Sequence, residues 1–217
     1  MRDQSPKGQT TKPEMQALLD APEAHTYSGI RDRAMLYLCF VAGLRVSELV
    51  GLNLRQLVFQ PQPTIHVIGK GRRERILPQW KETVTVLRSW LATRSNKAFA
   101  PELFLNAEGG CMTRSGFEYI LSKHVKAATI KQPSLGEKRV SPHSLRHSCA
   151  THTLKATDDV RKVSLWLGHV GLKSTEVYLR ADPDEKLETL MAMTPPSLQR
   201  GKFRAPDKRL EMLKSHK

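Results

Sequence analysis

The sequence predicts an α+β fold that is mostly helical and carries one small antiparallel hairpin. In most segments of the 217-residue chain, apolar residues recur every three or four positions, which is typical of helices with one buried face. A single β-branched segment, residues 64–68, alternates between apolar and polar residues as a strand does. No internal repeat divides the chain, so the segments are expected to share one core.

The composition favours a nucleic acid partner. The chain has a formal net charge of +14 and a pI of about 10.0, and such a positive balance is typical of proteins that bind polyanions. The charge by itself does not distinguish DNA from RNA. No apolar stretch is long enough to span a bilayer, and the first residues lack the apolar core of a signal peptide. These features predict a cytoplasmic protein that does not contact a membrane.

The cysteines Cys39, Cys111 and Cys149 are expected to be reduced thiols. Their number is odd and their spacing is wide, which disfavours both a disulfide framework and a zinc site. Cys39 and Cys149 lie in segments with helical apolar spacing, so both are expected to be small residues of the core.

Helices are predicted on both sides of the hairpin in the first half of the chain. One covers residues 13–20, and a strongly apolar helix covers residues 27–40. Gly43 breaks that helix, and Ser47 is expected to cap the next one. Beyond the hairpin, residues 81–94 have the spacing of an amphipathic helix.

The hairpin is predicted to have a basic edge. Residues 64–68 and 73–77 form its strands, and the glycine-flanked segment 69–72 forms its turn. Lys70 stands at or beside the tip. This edge is expected to enter a DNA groove, and its candidate DNA-binding residues are Arg72, Arg73 and Arg75. The alternative is a solvated turn, because lysine is common on exposed strand edges.

The second half of the chain is predicted to be helical around one exposed loop, residues 131–139. A helix is expected over residues 113–128, and another begins at residue 141 and continues through Leu154. Asp158 is expected to cap the next helix, which Gly168 ends. Further predicted elements are a short helix that carries Tyr178, a helix over residues 184–193 and a basic tail from residue 199.

The segment that begins at Ser141 has the features of an anion site at a helix start. Ser141 is a favourable N-cap residue and Pro142 suits the first helical position. His143 and Arg146 are three residues apart, so their side chains are expected on one face, where a cation and an imidazole suit a phosphate. The alternative is a polar helix face with a solvated arginine. His147 is expected to point away from that face.

Arg45 stands between the apolar residues Leu44 and Val46. A charged side chain in such surroundings needs a partner if it is buried, because an unpaired buried ion is costly. Either Glu48, three residues further on, is that partner, or an external anion is.

Five phrases, in this order, resemble the tyrosine recombinases, also called phage integrases, and most of all those of the Xer type. The phrases are AGLRVSEL at 42–49, GKGRRER at 69–75, HSLRHS at 143–148, LGH at 167–169 and TEVY at 175–178. The resemblance extends from about residue 13 to residue 190. It implies the catalytic fold of that family and strand exchange in double-stranded DNA, without a metal, ATP or another cofactor.

The resemblance implies a covalent mechanism. Tyr178 would be the nucleophile that attacks a DNA phosphate, forming a 3′-phosphotyrosine and freeing a 5′-hydroxyl. Lys70 would protonate the leaving 5′-oxygen, and His143 would assist proton transfer at Tyr178. A phenol is a poor nucleophile at neutral pH unless a base or nearby cations ease its deprotonation.

The resemblance also implies a set of phosphate-binding residues. Arg45 and Arg146 would hold the non-bridging oxygens, and His169 would donate a hydrogen bond to the phosphate. Phosphoryl transfer depends mainly on positioning and charge stabilisation, and the planar fork of a guanidinium matches two phosphate oxygens.

The expected organisation is a flexible segment at residues 1–12, a catalytic domain at 13–196 and a basic tail at 197–217. Family members usually have a separate DNA-clamping domain of about a hundred residues before the catalytic one. Here only about a dozen residues precede the match, a segment too short for a domain. Because recombination joins paired sites, the resemblance implies a homotetramer on DNA and a monomer in free solution.

Two other functions are compatible with the sequence. A shortened relative that binds DNA without cutting it would modulate a full-length recombinase, and its binding would be sensitive to salt. A nicking-closing topoisomerase would use the same chemistry, but the Xer-like wording of the motifs disfavours it.

Overall fold

Helices and one small sheet make up the part of the chain that the computed structural model describes, residues 10–69, 74–94, 100–157 and 159–168. The helices within these ranges are α1 Lys12–Leu19, α2 Tyr27–Val41, α3 Val46–Val50, α4 Lys81–Thr93, α5 Arg114–Thr129, α6 Pro142–Thr157 and α7 Val160–Leu167. The strands are β1 Leu57–Val58, β2 Thr64–Ile68 and β3 Glu74–Pro78. The predicted class is therefore confirmed. No helix in these ranges combines the length and the apolar content that crossing a bilayer requires.

Helix α1 begins with a capping box. The side chain of Thr11 accepts a hydrogen bond from the backbone N–H of Glu14, and Glu14 Oε2 accepts one from the N–H of Thr11 at 2.7 Å. Glu14 is itself buried, and it also accepts hydrogen bonds from Ser134 Oγ at 2.6 Å and Lys138 Nζ at 2.8 Å. These bonds tie α1 to the 3₁₀ helix Pro133–Glu137, which lies within a segment that we expected to be an exposed loop.

The core forms around α2, which packs against α4 and α6. Most of α2 is buried, and so are the side chains of Trp90 on α4 and Trp166 on α7. Each indole N–H finds a backbone acceptor: Trp90 bonds the carbonyl of Leu103 at 2.9 Å, and Trp166 bonds that of Val41 at 3.0 Å. Because a buried indole N–H is costly without a partner, the first bond fixes α4 against the segment at Leu103, and the second fixes α7 against the end of α2.

Cys39 and Cys149 are both buried, as predicted, whereas Cys111 is exposed. Burial raises the pKa of each buried thiol to about 12. Both therefore stay protonated and act as small core residues.

The sheet is antiparallel with strand order β1-β2-β3. Its register pairs His66 with Ile76 and Val67 with Arg75. The hairpin prediction is confirmed for both strands over the described residues. Strand β3 is described from Glu74 and includes Pro78, and Arg73, which we expected to begin it, lies outside the described residues. The sequence did not predict β1, which has only two residues. The predicted turn is described only at Gly69.

A buried ionic cluster joins α2 to α5. Asp32 accepts two hydrogen bonds from Arg31 through Oδ1, at 2.8 and 3.0 Å, and its Oδ2 lies 2.9 Å from His124 Nε2. Arg31 also donates to the carbonyl of Leu105 at 3.1 Å. All three charged or titratable side chains are buried, and each has a partner, as buried polar groups require.

The helix start at Ser141 is confirmed, because Ser141 Oγ accepts a hydrogen bond from the N–H of Ser144 at 3.2 Å. Helix α6 continues to Thr157, three residues beyond the expected end. The cap of α7 is Asp159, whose Oδ1 accepts from the N–H of Arg161 at 2.8 Å, and not Asp158. Gly168 ends α7 in the left-handed conformation, as predicted.

Helix α3 begins differently from the prediction. Arg45 occupies the N-cap position, and Ser47, which we expected to be the cap, lies within the helix. Gly43, just before it, has φ of +55°, and a Cβ there would stand 2.3 Å from Leu167 Cδ2 and 3.1 Å from Cys149 Sγ. A glycine is therefore required both by the backbone conformation and by the close approach of α6 and α7.

We predict that Gly43→Ala lowers the free energy of unfolding by about 2–4 kcal/mol, because left-handed strain and overpacking add. Gly109 is a matched control: it also has a positive φ, of 83°, but no atom lies within 4 Å of its hypothetical Cβ. Gly109→Ala should cost only the backbone part, about 1–2 kcal/mol. Urea denaturation of both variants measures the difference, and equal losses would contradict the role given to packing at Gly43.

Candidate active site

The structure describes some of the predicted site residues and not others. Arg45, Arg75, His143 and Arg146 lie within the described ranges. The predicted residues Lys70, Arg72, Arg73, His169 and Tyr178 lie outside them. The geometry below therefore concerns the phosphate-binding part of the predicted site.

Arg45 and Glu48 pair across the first turn of α3. Arg45 Nη1 lies 3.0 Å from Glu48 Oε1, and the backbone N–H of Arg45 donates to Glu48 Oε2 at 2.9 Å. The Arg45 side chain nevertheless keeps 37% of its surface exposed, against 3% for Glu48. The internal partner predicted as one alternative is thus present, and the exposed side of the guanidinium remains accessible to an external anion.

Arg75 is placed differently from the prediction. We expected it on the basic edge of the hairpin, but it is buried beneath the sheet and forms a two-point ion pair with Glu48, at 2.8 and 3.1 Å. The alternation of β3 explains this, since Arg75 shares the inward face with Leu77 while Glu74 and Ile76 face outward. The same alternation, applied to the sequence, would have predicted an internal arginine.

Glu48 is therefore the shared carboxylate of two arginines. Burial alone would raise its pKa, but the hydrogen bonds and charge of Arg75 and then the bonds from Arg45 outweigh burial, so that the pKa of Glu48 is below its usual value. The carboxylate is ionised at neutral pH, and it holds α3 against β3.

Arg146 is buried and bonds to backbone carbonyls. Its Nη2 donates to the carbonyl of Leu167 at 2.6 Å, and its Nη1 donates to that of Gly43. Burial first, and then the charges of Arg45 and Arg75, lower the pKa of Arg146 to about 10. The charges of Arg45 and Arg75 are thus close enough to lower the pKa of Arg146, yet its guanidinium stays protonated at neutral pH.

Three guanidiniums and one carboxylate are consequently close together in this pocket, which has an excess of positive charge among the described residues. They come from α3, β3 and α6, so the pocket exists only in the folded chain. An excess of fixed positive charge in a partly buried setting favours a bound anion. The pocket is therefore suited to a phosphate group.

His143 lies three residues before Arg146 on α6 and is exposed. Its Nε2 is 2.9 Å from Nε2 of His147, and the two ring planes meet at 85°. The expectation that His147 points away from this face was wrong, because residues four apart on a helix are neighbours just as residues three apart are. In such a contact one nitrogen donates and the other accepts, so at least one of the rings is neutral.

Gly168 brings the chain back to the pocket at the end of α7. Its φ is +63°, and a Cβ there would stand 3.2 Å from Cδ and 3.3 Å from Nη1 of Arg75. The backbone therefore passes directly over the Arg75 side chain. The next residue in the sequence is His169.

Comparison with known proteins identifies the family. Residues 9–185 match the phage integrase family. The chain belongs to this family.

Two curated relatives and one solved structure illustrate the similarity. The putative integrase/recombinase y4rC of Sinorhizobium fredii is 40% identical over 94% of this chain and 61% of its own length. Tyrosine recombinase XerD of Listeria innocua is 39% identical over 76% of this chain and 55% of its own length. The crystal structure of XerA recombinase is 27% identical with a TM-score of 0.67, covering 91% of this chain and 68% of that one. The chain thus spans about 55–61% of the length of these curated relatives.

We predict that Glu48→Gln lowers the free energy of unfolding at pH 7 by about 3 kcal/mol, because it removes the negative partner of a buried ion pair. The folded-state pKa of Glu48 is below its usual value of 4.5, so its contribution is present above about pH 4.5 and is lost as the pH falls through the folded-state pKa. The difference between the two proteins should shrink accordingly in acid.

The control is Glu118→Gln, which changes an exposed carboxylate on α5 and should alter stability by less than about 0.5 kcal/mol. Chemical denaturation at several pH values measures both variants. A Glu48→Gln loss that stays constant down to pH 3 would contradict the ionised, paired state of Glu48.

Proposed function

We propose that this chain is the catalytic part of a site-specific DNA recombinase that cleaves and rejoins DNA through a covalent 3′-phosphotyrosine. The observation that carries the proposal is that Arg146 bonds to the carbonyl of Gly43, two residues before Arg45, so that motifs a hundred residues apart in sequence meet in one pocket. An excess of guanidinium charge over a single carboxylate suits a phosphodiester, which is the group that a recombinase must activate.

The reaction would begin when the phenolic oxygen of Tyr178 attacks the scissile phosphorus. The new bond joins tyrosine to the 3′-phosphate, and the bond that breaks releases the 5′-oxygen, which takes a proton from Lys70. The phenolic proton leaves toward His143, which can accept it as a neutral imidazole. Attack by another strand's 5′-hydroxyl reverses these transfers and restores the phosphodiester.

The pocket residues would stabilise the charge that accumulates on the non-bridging oxygens. Arg45 presents its exposed side to the phosphate while Glu48 holds its other side, and Arg146 is held by two backbone carbonyls. Fixed donors of this kind need little reorganisation during the reaction, which is why they accelerate it. His169 would add a hydrogen bond to the phosphate. Because one ester is exchanged for another, the proposal requires no ATP, and because the arginines would stabilise the phosphate charge, it requires no metal.

The proposed partner is double-stranded DNA. The net charge of +14 supports binding to a polyanion, and Arg72 and Arg73, which lie outside the described residues, remain predicted candidates for DNA contacts. Arg75 is not among them, because its guanidinium is engaged by Glu48. Strand exchange between two sites involves four cleavable strands, so a homotetramer on paired sites and a monomer in free solution are part of the proposal.

The proposal predicts a covalent protein–DNA adduct that depends on Tyr178. Because the target sequence is unknown, we would use a pool of duplexes with randomised arms and a central nick, so that the cleaved fragment diffuses away and the adduct accumulates. DNA that remains attached to the protein in SDS is recovered and sequenced. Wild type should retain DNA with a shared sequence, and Tyr178→Phe should retain none.

Equal recovery with Tyr178→Phe, or no covalent DNA with wild type, would contradict the proposal. If the same pool binds in a salt-sensitive manner without any adduct, the chain is a non-catalytic DNA-binding protein. Filter binding at two salt concentrations makes this distinction.

A second prediction concerns Arg146. Arg146→Lys keeps the charge but loses the planar fork and the bonds to both carbonyls, so the rate of adduct formation should fall by about 10²-fold or more. The affinity for DNA should change much less, because it is spread over many phosphate contacts. The matched control is Arg33→Gln, whose side chain contacts Asp20 and Tyr37 outside the pocket. Equal effects of the two substitutions on the rate would contradict the role of Arg146.

A further inference from the structure

The outer face of α6 has two exposed histidines whose reactive nitrogens converge. His143 and His147 are four residues apart, and their Nε2 atoms are 2.9 Å apart. The ring centroids are 4.4 Å apart and the ring planes meet at 85°, so the two nitrogens approach each other in an edge-to-face contact. Nothing in the proposed chemistry uses His147.

We propose that His143 and His147 together form a binding site for a transition-metal dication. Neutral imidazole is a common ligand of Zn²⁺ and Cu²⁺, and two histidines four apart on a helix can bind one ion on the same face. Two neighbouring ligands of a square-planar Cu²⁺ ion are about 2.8 Å apart, and two ligands of tetrahedral Zn²⁺ are about 3.3 Å apart. The observed 2.9 Å separation is close to both values, and the exposed rings can rotate to adjust.

The surroundings of the pair determine which ions it takes. Among the described residues no group of three or more histidine, cysteine or acidic side chains is placed to hold a metal, so the pair leaves the other coordination positions to water or an anion. The positive charge of Arg45, Arg75 and Arg146 exceeds the negative charge of Glu48, their carboxylate partner among the described residues, and this excess opposes any dication. The site should therefore bind ions that prefer nitrogen, such as Zn²⁺ and Cu²⁺, and not Mg²⁺, which prefers oxygen.

Binding at this site would inhibit the proposed reaction, and this consequence rests on the proposed function. A metal ion on Nε2 of His143 occupies the lone pair that would otherwise accept a proton. Because the ion is held by two side chains only, it should exchange and be removed by a chelator. The site is thus a reversible inhibitory site and contributes nothing to catalysis.

Isothermal titration calorimetry of the full chain with ZnCl₂ tests the binding itself. Zn²⁺ is chosen because it has no redox chemistry, and all proteins carry Cys111→Ser, which removes the exposed thiol. His147→Gln and His143→Gln should each weaken the tightest Zn²⁺ binding by at least about tenfold, since even outer-shell changes cost that much. The control His66→Gln, which alters the His66–Glu74 pair on the sheet, should leave it unchanged.

Equal Zn²⁺ affinity in wild type and His147→Gln would overturn the proposal, and so would a loss confined to His66→Gln. Circular dichroism of each variant checks that the total helix content is unchanged, so that a lost ligand is not confused with a lost helix. These outcomes do not depend on whether the chain cleaves DNA.

A second experiment measures adduct formation on the nicked-duplex pool with and without ZnCl₂. At a Zn²⁺ concentration tenfold above the dissociation constant, about nine-tenths of the sites are filled. The rate of adduct formation by wild type should therefore fall to about a tenth of its rate without Zn²⁺. EDTA should restore that rate, MgCl₂ should have no such effect, and His147→Gln should keep most of its own rate in Zn²⁺. Equal inhibition of wild type and His147→Gln would overturn the inhibitory role. If wild type forms no adduct even without Zn²⁺, the proposed function fails while the calorimetry still decides the metal site.

Discussion

The carboxylate of Glu48 is the interaction on which the pocket depends. It is buried and it receives two hydrogen bonds from Arg75 and two from Arg45. Without it, the guanidiniums of Arg45, Arg75 and Arg146 would repel one another in a partly buried setting, where water screens them poorly. With it, the short helix α3 is fixed against β3, and Arg45 is fixed with one side exposed. A single acidic side chain thus allows a strongly cationic pocket to exist inside a folded chain.

Arg146 is held by backbone carbonyls and not by a carboxylate, and these bonds join the pocket to the core. Its guanidinium bonds to carbonyls at the end of the α2–α3 turn and at the end of α7. Those two backbone segments come together only because Gly43 has no side chain to separate them. Carbonyls satisfy the donors of a buried guanidinium without cancelling its charge. Arg146 therefore keeps its charge available for a phosphate, whereas part of the charge of Arg45 is neutralised by Glu48.

The same helix, α6, carries a buried cation and an exposed pair of imidazoles one turn apart. In the proposed reaction this arrangement would suit proton transfer beside a bound phosphate, because the arginine would hold the anion and a neutral histidine can accept a proton. It also has a chemical consequence of its own, since two convergent imidazoles are ligands as well as bases. A metal ion can compete with a proton for the lone pair of an exposed histidine. This competition is stronger where a neighbouring side chain is placed to act as a second ligand.

Much of the fold was predictable from the sequence, because helices with one apolar face and a hairpin with alternating residues are local patterns. The helices α2, α4 and α5, the cap at Ser141 and the glycine stop at Gly168 follow from residues near one another in the chain. The motif phrases suggested Arg45, His143 and Arg146 through their resemblance to those of the family, and the roles of these residues stay predictions. Other features depended on contacts that no local pattern specifies. That Arg75 lies inward, that it shares Glu48 with Arg45, and that Arg146 bonds to Gly43 and Leu167 were decided by the tertiary structure. The physical reason is that a charged side chain can be buried only where distant parts of the chain supply its partners, and those partners are brought together by the packing of the whole core.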